Sequence, residues 1–403
     1  MNDTTCPTCD PLLAADTTSE SSRANWAGIT SLALGVFGLV TAEFLPASLL
    51  TAMATDLNIS VGAAGQAVTA TALVGAVAAP TIPVLTRNLD RRVVLLALSL
   101  LLLVSNVLAA TASSFYVLLF ARVLLGVALG GFWSMSAALA MRLVPDHLFA
   151  RAMSVILTGV SIATVCAAPL GAYIGDLWGW RSAFIAAGCL SVVTIATQFL
   201  AIPSLPPKDN PSLRILFQLL WRTNVRVALL AVILVISGHF AGFTYIRPLL
   251  EDVTQVSVSA ISAILLAYGI GGFFGNFVGA FIVERSERYA IAFGGLLVIA
   301  MAITLVIAGN VASVAAVAIA LWGFAFGAFP IGFQTWIIRA APDQAEGAGG
   351  LLVAAFQIAI ASGAIGGGLL VDGIGALGGP VFAIIAVSLG TLLVLSFGPR
   401  AKN

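Results

Sequence analysis

Charged residues are scarce in this chain: only 9% of its 403 residues are Asp, Glu, Lys or Arg, whereas 60% are hydrophobic. Soluble globular domains carry about 25% charged residues, so this composition excludes that class. The mean hydropathy of +1.08 agrees with the exclusion. We therefore predict a polytopic membrane protein.

The residues of metal, nucleotide and covalent chemistry are also few. The two histidines, His147 and His239, lie far apart, and no GxxxxGK[ST] phosphate-binding motif occurs. Because the chain shows neither a metal-ligand cluster nor a nucleophile triad nor a nucleotide-binding loop, we predict no metal site and no cofactor. A membrane-embedded enzyme and an ATP-driven pump are both poor interpretations, and we expect no nucleic-acid partner.

Cysteine is equally sparse, with four residues that are too dispersed for a disulfide framework. Cys166 and Cys189 lie in apolar runs, where a small hydrophobic side chain explains them. Cys6 and Cys9 form a CxxC in the N-terminal tail. Without a second ligand pair this motif is weak evidence for zinc or redox chemistry, and its role stays open.

Long apolar runs, separated by short charged loops, make up most of the chain. Each run is close to the ~20 residues that an α-helix needs to cross the hydrocarbon. The runs are continuously apolar, which excludes a transmembrane barrel, whose strands alternate over ~10 residues. We predict an all-α polytopic fold with twelve membrane helices at 28–52, 63–86, 93–112, 115–141, 152–174, 183–202, 227–249, 258–283, 289–308, 313–338, 348–371 and 380–397.

The positive residues set the predicted orientation. Of the 18 Lys and Arg, all but Arg122, Arg181 and Arg247 fall on one side of the membrane. This side holds the N-terminal tail, the loops that lead from an even-numbered span to the next odd-numbered span, and the C-terminus. The positive-inside rule places this side, with both termini, in the cytoplasm. The predicted organisation is a disordered tail, a six-helix bundle, a proline-rich cytoplasmic linker, a second six-helix bundle and a short cytoplasmic C-terminus, at 1–25, 26–202, 203–226, 227–398 and 399–403.

The two bundles repeat one another. The segment RLVPD at 142–146 reappears 197 residues later as RAAPD at 339–343. Two parallel six-helix repeats are typical of a large class of secondary transporters, which bind substrate at the repeat interface near the midplane. Further corresponding pairs, at offsets of 196 to 202, are Gly126 and Gly323, Gly130 and Gly327, Phe132 and Phe329, Arg91 and Arg288, Asp176 and Asp372, and Pro46 and Pro248.

Several motifs carry a resemblance to a known family: FAR at 120–122 followed by Gly126 and Gly130, APLG at 168–171, GWR at 179–181 and DRR at 90–92. With these motifs the chain resembles the twelve-helix drug:H+ antiporters of the major facilitator superfamily. More closely, it is similar to the bacterial purine ribonucleoside efflux permeases in the segments 43–50, 131–133, 141–145 and 243–248.

This resemblance covers nearly everything from Trp26 to the last predicted helix. It implies proton-coupled export of small polar molecules by alternating access, with purine ribonucleosides such as inosine, guanosine and adenosine as substrates. Sugar or multidrug export within the same family, and a non-transporting receptor on the same scaffold, are the alternatives. The implied setting is the bacterial inner membrane, with the small-molecule substrate, protons and the lipid bilayer as partners, and we expect a monomer.

The loop between the second and third spans departs from the family pattern GxLaDrxGRR. Pro83 stands at the first glycine, Arg87 at the acidic position and Asp90 at the second glycine. The usual cytoplasmic latch is therefore absent from its own position, and Asp90 either substitutes for it or leaves it weaker. A basic loop that only sets topology is the alternative. The predicted gating residues are Arg87, Asp90, Arg91, Arg92, Pro169 and Gly171.

Glu43 is the only charged residue between Trp26 and Met53. A carboxylate in hydrocarbon costs at least ~2.5 kcal/mol, so it normally faces a protein interior or a water-filled cavity and has a function there. We predict that Glu43 carries the proton. A solvated acid at the outer membrane interface is the alternative, although the apolar residues Leu49 and Leu50 lie beyond it.

Arg122 is the predicted partner of Glu43. It shares an arc of about 80° on the fourth span with Gly126, Trp133 and Ser136. Counted from the predicted helix ends, Glu43 lies ~21 Å into a ~30 Å core and Arg122 ~10 Å below the outer surface, so contact is compatible. Burial disfavours an ionised carboxylate and a guanidinium favours it, so a conformational change would load or release a proton. A static ion pair is the alternative.

Other polar and aromatic residues within the spans are candidates for substrate contact. Amides and hydroxyls suit a ribose or a base edge, aromatic rings suit a purine face, and glue between helices or core packing is the alternative for each. Tyr245 stands where the repeat would place Glu43, which assigns proton handling to the first half and substrate contacts to the second. The candidates are Gln66, Trp133, Ser136, His239, Phe243, Tyr245, Arg247, Asn276, Gln334 and Gln357.

Overall fold

The computed structural model describes residues 24–207 and 213–399, and its regular structure over these residues is helical. Each predicted membrane span corresponds to one long helix, which confirms the predicted all-α fold class. Cys6, Cys9 and the rest of 1–23 lie outside the described residues, as do 400–403. The helices are α1 (Trp26–Asp56), α2 (Val61–Leu85), α3 (Arg91–Ala110), α4 (Phe115–Leu143), α5 (Phe149–Trp178), α6 (Trp180–Ala201), α7 (Thr223–Thr244), α8 (Val258–Arg285), α9 (Glu287–Ala308), α10 (Ala312–Ala340), α11 (Ala345–Ile374) and α12 (Gly378–Phe397).

Polar residues between the apolar runs begin many of these helices. The side-chain oxygens of Ser60, Asp90, Ser114, Ser257 and Ser286 accept hydrogen bonds from first-turn amides of α2, α3, α4, α8 and α9. Such caps satisfy amides that have no partner within the helix. The connecting loops can therefore be short.

Close contacts between glycines and neighbouring helices repeat in both halves. A Cβ added at Gly126 would lie 2.5 Å from the carbonyl oxygen of Thr71 on α2. A Cβ added at Gly323 would overlap the carbonyl oxygen of Tyr268 on α8 in the same way. Gly126 and Gly323 are 197 residues apart, and so are Thr71 and Tyr268, so the contact repeats at the offset that relates the two halves of the sequence. This confirms the prediction of two similar six-helix bundles.

The helix α7 is shorter at its outer end than predicted. Within the predicted span 227–249, the regular helix ends at Thr244. It is followed by a short helical segment, Ile246–Pro248, and then by a π-helical turn, Leu249–Val253. Pro248 has no amide hydrogen, and its ring excludes the carbonyl four residues earlier, which is that of Thr244. The regular helix therefore stops before the proline.

The predicted linker contains a short helix, Leu213–Leu220, and α7 begins at Thr223, before the predicted start. The guanidinium of Arg222 donates two hydrogen bonds to the carboxylate of Asp343, at 2.6 and 2.7 Å. These hydrogen bonds hold the pKa of Asp343 below its usual value. The linker is thereby attached to the loop between α10 and α11.

The two halves touch through α2 with α11 and α5 with α8. We call the outer end the side at which α1 ends and α2 begins, and the inner end the opposite side. A Cβ at Gly269 of α8 would lie 2.6 Å from the Cα of Val165 in α5. The core of the second half also includes Ala47, Val68 and Ala168, all in the outer halves of first-half helices. The molecule is therefore closed toward the outer end.

The inner ends of the same helices stand apart. Asn276 lies within about 40° of the buried Gly269 and Gly272 on the protein-facing side of α8, yet it is exposed. On α11, a Cβ added at Gly349 or Gly350 would meet no atom within 4 Å. A cleft between the halves therefore opens at the inner end.

Candidate functional site

The helix α1 contains Pro46 and still runs without a break through 31 residues. Because Pro46 has no amide hydrogen, the carbonyl of Ala42 loses its partner within the helix. Arg122 of α4 donates a hydrogen bond from Nη2 to this carbonyl at 2.8 Å. A guanidinium keeps its proton and must find acceptors when it is buried, and Arg122 is 0% exposed. The proline therefore creates the acceptor that the arginine needs.

Glu43 follows Ala42 directly and is 9% exposed. Arg122 thus reaches the backbone beside Glu43, although no ion pair among the described residues joins the two side chains. Gln357 of α11 donates a hydrogen bond from Nε2 to Oε1 of Glu43 at 3.5 Å. The carboxylate therefore lies at the boundary of the halves, with a cation from the first half and an amide donor from the second.

Several buried polar atoms of this group have no hydrogen-bond partner in the protein. In the part of the chain that the structure describes, these are Nε and Nη1 of Arg122 and Oε1 of Gln357. Buried polar groups are nearly always paired with protein, water or ligand. The group around Glu43 therefore retains hydrogen-bonding capacity for water or substrate. No group of His, Cys, Asp or Glu within the described ranges could hold a metal ion.

An aromatic cluster of the second half receives Phe44, the residue after Glu43. The ring centroid of Phe44 lies 5.4 Å from that of Phe243 and 6.3 Å from that of Phe240, both on α7. Phe243 in turn stacks on Tyr268 of α8 at 5.0 Å. Phe243 is buried among these rings, so in this conformation it joins the halves instead of facing the cleft.

His239 has a partner at each ring nitrogen. Trp322 donates Nε1–H to Nδ1 at 3.0 Å, and the hydroxyl of Tyr268 lies 3.2 Å from Nε2. A tryptophan nitrogen only donates, so Nδ1 carries no proton and the neutral ring donates from Nε2 to Tyr268. Phe326 stacks on the ring at 3.9 Å. These contacts favour a structural role over contact with proton or substrate.

Tyr245 and Arg247 contribute to the closed outer end. The hydroxyl of Tyr245 donates to the carbonyl of Ala364 on α11 at 2.7 Å. Arg247 donates Nε–H to Glu251 at 2.7 Å and a second hydrogen bond to the carbonyl of Ser48 on α1. Both side chains are buried in these contacts and do not face the cleft in this conformation.

Trp133, Asn276 and Gln334 keep exposed surface on sides of their helices that face protein. Trp133 is half-buried and lies within about 20° of Arg122 on α4. Gln334 is exposed and lies within about 20° of Gly327, on the side of α10 that packs on α8. Since each of the three side chains stands on a protein-facing side of its helix, we infer that its exposed surface borders the cleft and not lipid.

Ser136 and Gln66 are placed away from the cleft. Ser136 is buried and donates its hydroxyl hydrogen to the carbonyl of Phe132 at 2.7 Å. Gln66 lies within about 20° of Leu73 and Val77, which form the exposed side of α2. The structure therefore does not bring these two candidates together with the others.

The loop between α2 and α3 is attached to its own half. Asp90 accepts hydrogen bonds from the hydroxyl of Ser204 and the amide of Leu205, the latter at 3.0 Å. Burial raises the pKa of Asp90. These hydrogen bonds and one from the Arg92 amide together lower it by more, so the pKa of Asp90 lies below its usual value. Arg92 donates to the carbonyl of Phe199 at 2.6 Å. Among the described residues, Asp90 has no hydrogen bond to the second half in this conformation.

The remaining basic residues of this loop, Arg91 and Arg87, differ in exposure, since Arg91 is half-buried. Arg91 donates to the hydroxyl of Thr86 at 3.2 Å, and Arg87 is exposed. Glu287 stands 197 residues after Asp90 and accepts a hydrogen bond from an arginine at the end of α10. The two inner loops therefore hold an acid at equivalent positions. The gating role of the first loop stays a prediction.

Pro169 and Gly171 lie in the outer half of α5, beside α1. A Cβ added at Gly171 would lie 2.7 Å from Cδ2 of Leu45 and 2.7 Å from Oγ of Ser48. The absence of a side chain at Gly171 thus allows α5 to contact α1 within one turn of Pro46. The gating role of both residues stays a prediction.

Tyr268 and Trp322 hold His239 but have no motif that separates them from the other aromatic residues of the chain. The repeat is the one available signal. Tyr268 corresponds to Thr71 at the offset of 197, and the hydroxyl of Thr71 donates to the carbonyl of Arg122 at 3.2 Å. Corresponding positions on α2 and α8 therefore both face the interior of their bundles.

Two six-helix repeats, closed at one end around buried charges and open at the other, define a membrane transporter. The family model of the Major Facilitator Superfamily matches residues 32–364. The chain belongs to this superfamily and is a transporter, not an enzyme. A solved bacterial homologue of the human lysosomal transporter Spinster, inward-facing and unoccupied, has a TM-score of 0.71 with 14% identity, over 94% of this chain and 98% of that chain. This likeness shows the fold.

Curated relatives are more similar in sequence. The chain is 41% identical over 381 residues to the purine ribonucleoside efflux pump NepI of Salmonella paratyphi B, covering 94% of this chain and 95% of the relative. It is 42% identical over 356 residues to the pump of the same name from Salmonella enteritidis PT4, covering 88% and 90%. These matches confirm the resemblance predicted from the motifs. The protein is a multi-pass transporter of the bacterial inner membrane with a small-molecule substrate.

Proposed function

We propose that this transporter exports purine ribonucleosides such as inosine, guanosine and adenosine in exchange for protons. The observation that carries the proposal is the 41% identity, over 94% of the chain, to a relative named as a purine ribonucleoside efflux pump. Identity spread over nearly the whole chain includes the helices that line the cleft.

The side chains in the cleft suit such a substrate. A purine has two apolar faces and a hydrogen-bonding edge, and its ribose carries hydroxyls. Trp133 provides a ring for stacking, and Asn276 and Gln334 provide amides that both donate and accept. A site that hydrogen-bonds its substrate rejects analogues that lack the matching groups.

Glu43 is the proposed proton carrier. In the present conformation Gln357 and Phe44 close the boundary on the second-half side of the carboxylate. When the halves part at the outer end, Gln357 moves away with the second half, and Glu43 meets the outer water and binds a proton. Return to the inner-open conformation brings Gln357 back to Glu43, beside the Arg122 that stays fixed on α1, and the proton is released inward. Substrate leaves earlier, while the outer end is open, so proton and substrate move in opposite directions.

We further propose that the monomer is the transporting unit and that both termini lie in the cytoplasm. The positive residues at the inner loops support this orientation. A peptide tag added after Asn403 is then expected to be cleavable in inverted membrane vesicles and protected in intact spheroplasts. The reverse pattern would contradict the orientation.

Counterflow in proteoliposomes tests the substrate. Vesicles loaded with one unlabelled compound are given the same labelled compound, and the panel contains inosine, guanosine, adenosine, arabinose and a cationic dye. We expect accumulation of the three nucleosides alone. Accumulation of arabinose or the dye without the nucleosides would replace the proposed substrate, and saturable binding without any flux would indicate a receptor.

Matched amide variants test the position of the site. Asn276→Ala and Gln334→Ala are expected to raise the KM for guanosine about tenfold each, since each loses a hydrogen bond that the substrate makes. Gln66→Ala removes the same kind of amide from the exposed side of α2, away from the cleft, and is expected to leave the KM unchanged. Equal effects of all three substitutions would place the substrate elsewhere.

A further inference from the structure

The outer ends of α2 and α11 are joined by a carboxylate that belongs to neither of the groups described above. Asp372, near the end of α11, accepts a hydrogen bond from the amide of Gly62 at 2.9 Å and one from the hydroxyl of Ser60 at 2.8 Å. Ser60 is itself the cap of α2 and accepts from the amide of Ala63 at 3.0 Å. A side chain of the second half therefore completes the N-terminal cap of a first-half helix.

The chemistry of this contact is favourable for a charge. The first amides of a helix have no partner within it, and the helix dipole places partial positive charge at the same end. An ionised carboxylate there accepts charge-assisted hydrogen bonds, which are stronger than neutral ones. Asp372 thus gains its partners only when the outer ends of α2 and α11 are together.

At this contact α2 and α11 lie too close together for a side chain at Gly62. A Cβ added at Gly62 would lie 2.6 Å from Cγ of Asp372 and 2.7 Å from the carbonyl oxygen of Gly368. One turn inward, a Cβ added at Gly65 would lie 2.7 Å from Cζ of Tyr245. Glycines on α2 therefore let α11 and Tyr245 approach until the carboxylate reaches the cap.

The repeat provides a natural comparison, because it contains the same parts without the contact. Asp176 of α5 corresponds to Asp372 at an offset of 196, and Ser257, the cap of α8, corresponds to Ser60 at 197. Asp176 is exposed and has no hydrogen bond or ion pair within the described ranges. At the position equivalent to Gly62 stands Ser259, whose hydroxyl pairs with that of Ser257 at 3.0 Å.

We propose that Asp372 is the outer gate residue of this transporter. Its carboxylate holds the N-terminus of α2 while the cleft is open at the inner end, and this bond breaks in every cycle when the outer end opens. Asp372 acts on the population of the two conformations and touches neither substrate nor proton carrier. The proposal needs only alternating access and is independent of the substrate and of proton coupling.

Distances between the outer ends test this proposal in the full-length protein. In a variant with all four cysteines replaced, Thr55→Cys on α1 and Ile374→Cys on α11 carry spin labels, and the distance distribution is recorded in lipid without substrate. Asp372→Asn removes the charge and one acceptor, so the long-distance population is expected to rise on the order of fivefold. Asp176→Asn is the matched control and is expected to leave the distribution unchanged.

A second pair of variants keeps the proposal testable if Asp372→Asn is poorly inserted. Ser60→Ala removes one of the two hydrogen bonds and is expected to shift the distribution in the same direction by less, whereas Ser257→Ala is expected to have no effect. An unchanged distribution in Asp372→Asn, or in Ser60→Ala where only that variant is recovered, would overturn the proposal. So would equal shifts in the variants of the two halves. Because no substrate or gradient is present, failure of the proposed transport function would not alter these results.

Discussion

The first predicted span of each half has a proline at the same repeat position, and the helix responds differently in the two halves. In α1, Pro46 frees the carbonyl of Ala42, Arg122 donates to that carbonyl, and the helix continues. Just after α7, Pro248 stands at the equivalent position, but Ile319 occupies the place that the repeat gives to Arg122. There the regular helix ends four residues before the proline.

The difference teaches where a charge can be accommodated. An arginine fixed on the backbone of α1 keeps positive charge beside Glu43, and Gln357 supplies a donor from the opposite half. At the equivalent position of the second half, Tyr245 places a neutral hydroxyl on the backbone of α11. Under the proposed function, the first half would hold and move the proton, and the second half would close against it.

Removing the acid is expected to have the largest effect. Glu43→Gln keeps the size and hydrogen-bonding capacity of the side chain but cannot exchange a proton, so transport driven by a pH gradient falls by at least about 100-fold. Counterflow without a gradient is expected to remain. The measurement is guanosine flux in proteoliposomes with and without the gradient.

The control for this comparison is Tyr245→Phe at the equivalent position of the second half. It removes one hydrogen bond to Ala364 and no charge, so gradient-driven flux is expected to stay within a few-fold of the parent. Gradient-driven transport at the parental rate in Glu43→Gln would end the assignment of the proton to Glu43.

Replacing each proline in turn by alanine tests whether Pro46 positions Arg122. Pro46→Ala restores an amide that bonds the Ala42 carbonyl and competes with the guanidinium, so flux is expected to fall about tenfold, the equivalent of one charged hydrogen bond. Pro248→Ala in the second half has no arginine to displace and is expected to change flux less. A larger loss in Pro248→Ala than in Pro46→Ala would contradict the comparison.

His239 is expected to matter for stability and not for the proton. His239→Gln leaves one buried partner, Trp322 or Tyr268, with a poorer hydrogen bond, which costs roughly 1–3 kcal/mol. Thermal unfolding in detergent is expected to occur at lower temperature, while the pH dependence of flux per folded molecule keeps its shape. A shifted pH profile would return His239 to the proton path.

The smallest effect is expected at the inner surface. Arg222 lowers the pKa of Asp343, so the pair contributes above the ordinary carboxyl pKa of 3.8 and loses its contribution as pH falls through the lower, folded value. Because the pair is solvent-exposed, Asp343→Asn is expected to leave thermal stability at pH 7 unchanged. A clear loss of thermal stability at pH 7 would contradict this expectation and show that the contact between the linker and the loop after α10 stabilises the fold.

Much of the site was predictable, and the reason differs for each residue. Glu43 and Arg122 stand out because charge is rare in the spans, and that signal is local. Trp133, Asn276 and Gln334 do face the cleft, but nothing in the sequence separates them from Gln66, which faces outward. Helical periodicity shows on which side of its own helix a side chain lies. It does not show whether that side packs on another helix, lines the cleft or meets lipid.

The sequence by itself determined the twelve helices, the inner loops and the repeat, because hydropathy, loop charge and residue spacing are local or periodic properties. Only the tertiary structure decided that Arg122 takes the carbonyl of Ala42, 80 residues away, that Gln357 reaches Glu43 across 314 residues and that Asp372 caps α2. These contacts depend on how two bundles of repeated helices meet, and the meeting surface changes with the conformation of the transporter.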